Sequence, residues 1–250
     1  MSILKAMEML CLGAVFGAFG GLFGVGGGII AIPSLVMLFN MDQQSAQGTA
    51  LVMILPSALL GFWKYRQRNS IDLRMAALLC GPAVLATYVA ARLANVVSSG
   101  LLRLAFGLFL VAVALYLVCK IVGGHRGEPR RKLAWPHSWL VGATGGFLSG
   151  LFGVGGATIA PPVLTTFFGL TQTAAQGLAL AMIVPGTIVA LAVYARAGAV
   201  HWSMGLAMAI GGLIAVPLGV AVAHALPSEK LRLLFCGFLM LSATMIIAGH

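Results

Sequence analysis

Long apolar runs, separated by short polar segments, make up most of this chain. They cover residues 7–39, 46–63, 75–91, 104–119, 138–169, 174–195, 202–228 and 231–249. Most are close to the roughly 20 residues that a helix needs to cross about 30 Å of hydrocarbon. Hydrophobic residues make up 60% of the 250 and charged residues 8%, and the mean hydropathy is +1.04. This pattern predicts an all-α polytopic membrane protein with about eight transmembrane helices.

The chain also contains an internal repeat. Residues 13–35 align with residues 142–164, and the heptapeptide GLFGVGG is identical in both. The same offset pairs Gln47 with Gln176 and Tyr65 with Tyr194. We therefore predict two homologous four-span repeats, at residues 1–119 and 138–250, joined by a basic cytoplasmic linker at 120–137. The first helix of each repeat is expected to be broken at the glycine-rich motif.

The formal net charge of +10 is concentrated in short loops. Residues 64–74 and 120–132 carry most of the lysine and arginine. The positive-inside rule accounts for this bias, which predicts that both loops are cytoplasmic and that the partner is a lipid bilayer and not nucleic acid. The predicted location is the inner membrane of a bacterial cell, with several passes.

The relative orientation of the repeats depends on how often the long glycine-containing segment crosses the membrane. One crossing gives four spans per repeat and parallel repeats, whereas two crossings give five spans and inverted repeats. Arg196 in a cytoplasmic loop and an uncharged turn at 169–176 favour the parallel arrangement. The turn with Lys230 and Arg232 favours the inverted one, so both remain open.

The glycines fall into two groups with different spacing. A phosphate loop is a poor interpretation, because that motif needs a soluble strand-turn-helix setting and a Gly-Lys-Ser/Thr sequence. A four-residue spacing predicts ladders that let helices approach closely. The ladder residues are Gly13, Gly17 and Gly21, repeated as Gly142, Gly146 and Gly150.

The remaining glycines of the motif predict a break in the helix. Consecutive glycines free the backbone, and the prolines that follow, at Pro33 and at Pro161 and Pro162, disfavour helical geometry before them. Freed N–H and C=O groups in hydrocarbon must be buried in protein or face a wet cavity. Two matching breaks therefore predict an anion site built from backbone amides near the midplane. A purely structural kink is the alternative.

The polar side chains within the runs are few. Gln47, Thr49 and Gln176 lie near the starts of their helices and are candidates for ligand contact or for interhelical hydrogen bonds. The five acidic residues leave the membrane core nearly free of carboxylates, which disfavours a cation site or a proton relay. No cofactor, metal site or catalytic residue is predicted, and we do not expect an enzyme.

With its doubled motif GLFGVGGGIIAIP and GLFGVGGATIAPP, its basic linker and its paired LLRLAFG and LRLLFCG segments, the chain resembles the TauE/SafE sulfite exporter family. This resemblance implies a permease that moves sulfite, sulfonates or related sulfur-containing anions. We predict a small anionic substrate and leave a homo-oligomer open. The predicted substrate-binding residues are Gly24, Gly26, Gly27, Gln47, Thr49, Gly153, Gly155, Gly156, Thr158 and Gln176. A structural or assembly membrane protein and an anion channel are the alternatives.

Overall fold

A computed structural model describes residues 3–69, 73–122, 137–154 and 158–248. Within these ranges the chain forms ten α-helices and no strand, which confirms the all-α prediction. The first five helices are α1 (Ile3–Phe23), α2 (Gly28–Phe39), α3 (Gln43–Arg68), α4 (Leu73–Ala94) and α5 (Ser99–Val122). The second five are α6 (Ser138–Phe152), α7 (Ala160–Phe167), α8 (Gln172–Arg196), α9 (Trp202–Ala225) and α10 (Ser228–Ala248).

Six helices of the described ranges are long and apolar enough to cross a membrane: α1, α3, α4, α5, α8 and α9. Helices α2 and α6 are apolar but shorter. The protein is therefore a multi-pass membrane protein. The count of eight spans and the division into repeats at 1–119 and 138–250 stay predictions.

Equivalent sequences begin α3 and α8 in the same way. The Asp42 carboxylate accepts a hydrogen bond from the backbone N–H of Ser45 at 3.4 Å, and the Thr171 hydroxyl accepts one from Ala174 at 3.3 Å. Such side chains satisfy a backbone N–H group that the first helical turn leaves without a partner. The two central helices therefore start at matching positions of the two halves.

Helices α3 and α8 run in opposite directions. Tyr65, near the end of α3, lies 2.9 Å from Gln176 near the start of α8. Tyr194, near the end of α8, lies 2.6 Å from Gln47 near the start of α3. Because α3 and α8 are equivalent in sequence, the two halves are inverted, and the parallel arrangement favoured by Arg196 is wrong.

The segment 3–39 folds as a hairpin. A side chain at Gly27 would contact the Phe16 carbonyl, and Lys5 lines the same cleft as Asn40, the residue after α2. Helix α2 therefore returns beside α1 to the side where α1 begins. This return explains the inverted halves, because α1 and α2 together leave the chain on the side where it started and three further helices follow.

The bundle has two opposite faces, which we name by the helix ends they carry. The amino-terminal face carries the starts of α1 and α3 and the end of α4, where Gln44 donates to the Val97 carbonyl at 2.8 Å. The linker face carries the end of α3 and the start of α8, where Thr173 donates to Asn69 at 3.1 Å. It also carries the end of α5 and the start of α6. The two loops predicted to be cytoplasmic, 64–74 and 120–132, thus join helix ends of one face, whereas Arg196 lies at the other.

The first helix of each half packs on the fourth helix of the other half. Side chains at the ladder positions of α1 would collide with the backbone of α9, at Met208, Gly212 and Val216. Those of α6 would collide with α4, at Leu79, Ala83 and Thr87. The ladder prediction is confirmed, since only glycine permits these backbones to approach so closely.

Candidate functional site at the glycine turns

The first glycine turn separates α1 from α2. Gly24, Gly26 and Gly27 have φ angles of 68°, 70° and 86°, in the left-handed region that favours glycine. Helix α1 ends at Phe23 and α2 begins at Gly28. Pro33 lies inside α2, so it does not mark the end of the turn as its position in the sequence suggested.

The second glycine turn separates α6 from α7 and is only partly described. Gly153 has a φ of 67° and directly follows α6. The predicted site residues Gly155 and Gly156 lie outside the described residues. Pro161 and Pro162 are the second and third residues of α7, so in this half the prolines do adjoin the turn.

The two turns lie against each other and against the glutamine of the opposite half. A side chain at Gly24 would come within 2.7 Å of the Gln176 Cβ, and one at Gly153 within 2.9 Å of the Gln47 Cβ. A side chain at Gly28 would lie 3.4 Å from the Gly153 carbonyl oxygen. The structure therefore brings these predicted residues from both halves to one place.

Two buried tyrosines hold the glutamines, and sequence reasoning assigned them no role. The Tyr65 hydroxyl lies 2.9 Å from the Gln176 Oε1 and 2.9 Å from the Gly21 carbonyl. The Tyr194 hydroxyl makes the equivalent contacts with Gln47 and with Gly150, at 2.6 and 3.2 Å. Each tyrosine thus links the end of α1 or α6 to the other half. Their signal in the sequence was the repeat itself, which pairs Tyr65 with Tyr194 as it pairs Gln47 with Gln176.

The start of α2 presents backbone donors in the interior of the protein. Residues 28–36 are buried, and the residue before the helix, Gly27, has no side chain that could cap it. The first turn of a helix leaves N–H groups without partners and carries a partial positive charge. The arrangement is suited to bind an anion.

Thr158 and Thr49 differ in their environments. Thr158 is 1% exposed, and its hydroxyl has no hydrogen-bond partner among the described residues. The Thr49 hydroxyl accepts a hydrogen bond from the backbone N–H of His201 at 3.0 Å. It therefore joins α3 to the start of α9, and no described contact connects it with either glycine turn.

The buried polar side chains of the described residues are all neutral. They belong to serine, threonine and glutamine, whereas Glu8, Asp42 and Glu229 are exposed. The part of the second turn that is not described consists of glycine and alanine in the sequence. Binding at this site would depend on hydrogen-bond donors and helix dipoles.

Two clefts open on the amino-terminal face on either side of Asp42. One has a volume of about 580 Å³ and is lined in part by Lys5, Asn40 and His201. The other, of about 380 Å³, is lined in part by Gln44 and by residues 197–199. These clefts lie beside the start of α3, two helical turns or fewer from Gln47 in the sequence.

Comparison with known proteins identifies a family and several relatives. Residues 9–246 match the family model described as Sulfite exporter TauE/SafE. The "Probable membrane transporter protein YunE" of Bacillus subtilis is 24% identical over 96% of both chains. A "Probable membrane transporter protein" of Methanocaldococcus jannaschii is 28% identical over 62% of this chain and 60% of its own. YdhB of Bacillus subtilis, with the same description, is 22% identical over 92% of this chain and 94% of its own.

The family match spans both glycine turns, both tyrosines and all ten helices except the outermost residues of α1 and α10. The chain therefore belongs to the Sulfite exporter TauE/SafE family of membrane transporters.

Proposed function

We propose that this transporter moves a small sulfur-containing anion, such as sulfite or an organosulfonate, and binds it between the two glycine turns near the bilayer midplane. The observation that carries the proposal is the buried, uncapped start of α2 against the Gly153 turn of the opposite half. Gln47, Gln176 and Thr158 contribute polar groups, together with the turn glycines. Thr49 is retained as a candidate binding residue only because it lies on α3, the helix that also carries Gln47.

The physical support lies in the cost of burying polar backbone. Unpaired N–H groups in an apolar interior cost free energy, and an anion that accepts their hydrogen bonds removes this cost when it binds. A site without carboxylates also avoids repulsion of a negatively charged substrate. A structural protein would have no need for uncapped donors at this depth.

The proposal includes the orientation in the membrane. The linker face bears the clustered lysines and arginines of 64–74 and 120–132, so we place it in the cytoplasm, and the amino-terminal face with its two clefts outside. For a bacterial cell this membrane is the inner one. The homologous repeats belong to the same proposal, with an odd number of crossings in each, because the halves are inverted.

Flux of radiolabelled sulfite into proteoliposomes tests the function. Gly26→Leu introduces a side chain where φ is 70° and Ile54 lies 2.8 Å from the new Cβ, so we expect loss of flux. Gly81→Leu is the matched control, because Gly81 has no neighbour within 4 Å. Equal flux through both variants would argue against the assigned site.

A second measurement does not depend on any variant. A ligand that binds only the folded protein stabilises it, by about 2.7 kcal/mol at 100 times its Kd. We expect sulfite, thiosulfate or a sulfonate to raise the Tm of the purified protein. A panel of such anions without any shift would instead favour a structural or assembly role, and flux that never saturates with concentration would favour a channel.

A further inference from the structure

The two helices that follow the glycine turns offer unequal numbers of donors. Helix α2 begins with Gly28, Ile29 and Ile30, and each of these residues has a backbone N–H. Helix α7 begins with Ala160, followed by Pro161 and Pro162, and proline has no N–H. The first three residues of α7 therefore keep one backbone N–H, where the first three residues of α2 have three.

The two glutamines are unequal in the same sense. The Gln176 Nε2 donates to the Leu22 carbonyl at 3.4 Å, and its Oε1 accepts from Tyr65. Gln47 is 0% exposed, and its Oε1 accepts from Tyr194. Its Nε2, however, has no partner among the described residues. A buried amide N–H group without a partner is rare and calls for an acceptor.

Gln47 lies on the same side as the start of α2. Its Cβ and Cγ pack on Gly153, and the Gly153 carbonyl oxygen lies 3.4 Å from the position that a Cβ on Gly28 would take. The free amide nitrogen and the donors of α2 thus flank the same turn. Gln176 packs on Gly24, but its amide is engaged in hydrogen bonds, and Pro161 and Pro162 of α7 have no N–H. The Thr158 hydroxyl, two residues before α7, is buried without a partner among the described residues and is the donor that the second half could still offer.

The chemistry of the ligand follows from the neutral interior. The Born cost of moving an ion out of water rises with the square of its charge, so a dianion costs about four times as much as a monoanion of the same size. The buried polar side chains here are neutral, so no full positive charge within the described core offsets the larger cost.

On the basis of the proposed function, we propose that the site is one-sided and selects for charge: the start of α2 and the Gln47 amide bind a singly charged oxyanion. Hydrogensulfite and monosulfonates fit this description, and sulfate and fully ionised sulfite do not. Of the polar residues named under the proposed function, Gln176 is thereby reassigned: it joins α8 to α1 and α3 and does not contact the ligand.

Methanesulfonate and sulfate are the probes, because both are tetrahedral and of similar size but differ in charge. We expect methanesulfonate to bind the purified wild-type protein, measured by calorimetry, and sulfate to bind at least about tenfold more weakly. Gln47→Leu should weaken methanesulfonate binding about 10- to 100-fold, the effect of one hydrogen bond to a charged group. Gln176→Leu should lower the Tm but change the Kd less than about threefold.

The titration of sulfite is an independent readout. Sulfite and hydrogensulfite interconvert near neutral pH, so apparent sulfite affinity should rise as the pH falls through this range. Methanesulfonate stays singly charged there, and its affinity should not change. Should Gln47→Leu fail to fold, Gln47→Asn withdraws the amide by one methylene group, and Gln176→Asn is its matched control.

The outcomes separate this proposal from the proposed function. If no anion binds the wild-type protein, both are overturned. If methanesulfonate binds but both glutamine variants lose affinity equally, or if sulfate binds as tightly as methanesulfonate, the one-sided, charge-selective site is wrong and the transport function stands.

Discussion

Removal of one tyrosine hydroxyl tests the contact between the inverted halves. Tyr194 is fully buried, and its hydroxyl is 2.6 Å from the Gln47 Oε1 and 3.2 Å from the Gly150 carbonyl. Tyr194→Phe leaves the ring in place and deprives both acceptors of their donor. A buried polar group without a partner costs about 1–3 kcal/mol, and hydrogen bonds between membrane helices average about 0.6 kcal/mol. We expect the free energy of unfolding to fall by about 1–2 kcal/mol.

The assay is a double-mutant cycle in detergent, read from reversible chemical unfolding. Tyr194→Phe and Gln47→Leu remove the same contact, so their effects should be less than additive by at least about 0.5 kcal/mol. Tyr194→Phe and Gln176→Leu lie at opposite ends of α3 and α8 and should add within about 0.5 kcal/mol. Fully additive effects of Tyr194→Phe and Gln47→Leu would refute the antiparallel packing of the halves.

Two further predictions concern packing and topology. Gly17→Ala should destabilise the protein by about 1–3 kcal/mol through overpacking, since its side chain would collide with the Gly212 backbone. Gly81→Ala, in open space on a helix, should stabilise it by up to about 1 kcal/mol; equal thermal shifts would contradict the ladder. In a cysteine-free background, Ala197→Cys and Ser228→Cys should react with a membrane-impermeant thiol reagent from opposite sides of the cell membrane, and labelling from one side would contradict the two-face topology.

The sequence predicts local features of this fold better than it predicts the relative direction of the two halves. Four-residue glycine spacing identified the faces of α1 and α6 that pack closely, because spacing alone sets which residues share a helix face. The direction of α8 relative to α3 was missed, since it depends on whether the segment 3–39 crosses or returns. Hydropathy is the same in both cases. The reversal of the chain between α1 and α2 depends on the backbone angles at Gly24, Gly26 and Gly27, and the hydropathy of the segment contains no information about these angles.

The candidate site was predictable in part. Gly24 and Gly153 do lie against Gln176 and Gln47, and the repeat in the sequence had already paired these residues with one another. The engagement of Thr49 with His201 was not predictable, because residues far apart in sequence form that hydrogen bond. Nor was the difference between Gln47 and Gln176, which arises from whether a carbonyl lies near the amide. Their role in binding stays a prediction.

The packing of the first helix of each half on the fourth helix of the other half has a consequence for biosynthesis. When α6 enters the membrane its partner α4 has already been made, but α1 packs along α9, and Gly13 meets Met208. At about 5–20 residues per second of synthesis, the glycine face of α1 waits about 10–40 s for its partner. Until then α3 is the helix of the first half on which both α1 and α2 pack, and neither half by itself contains the helix that covers the glycine ladder of its own first helix.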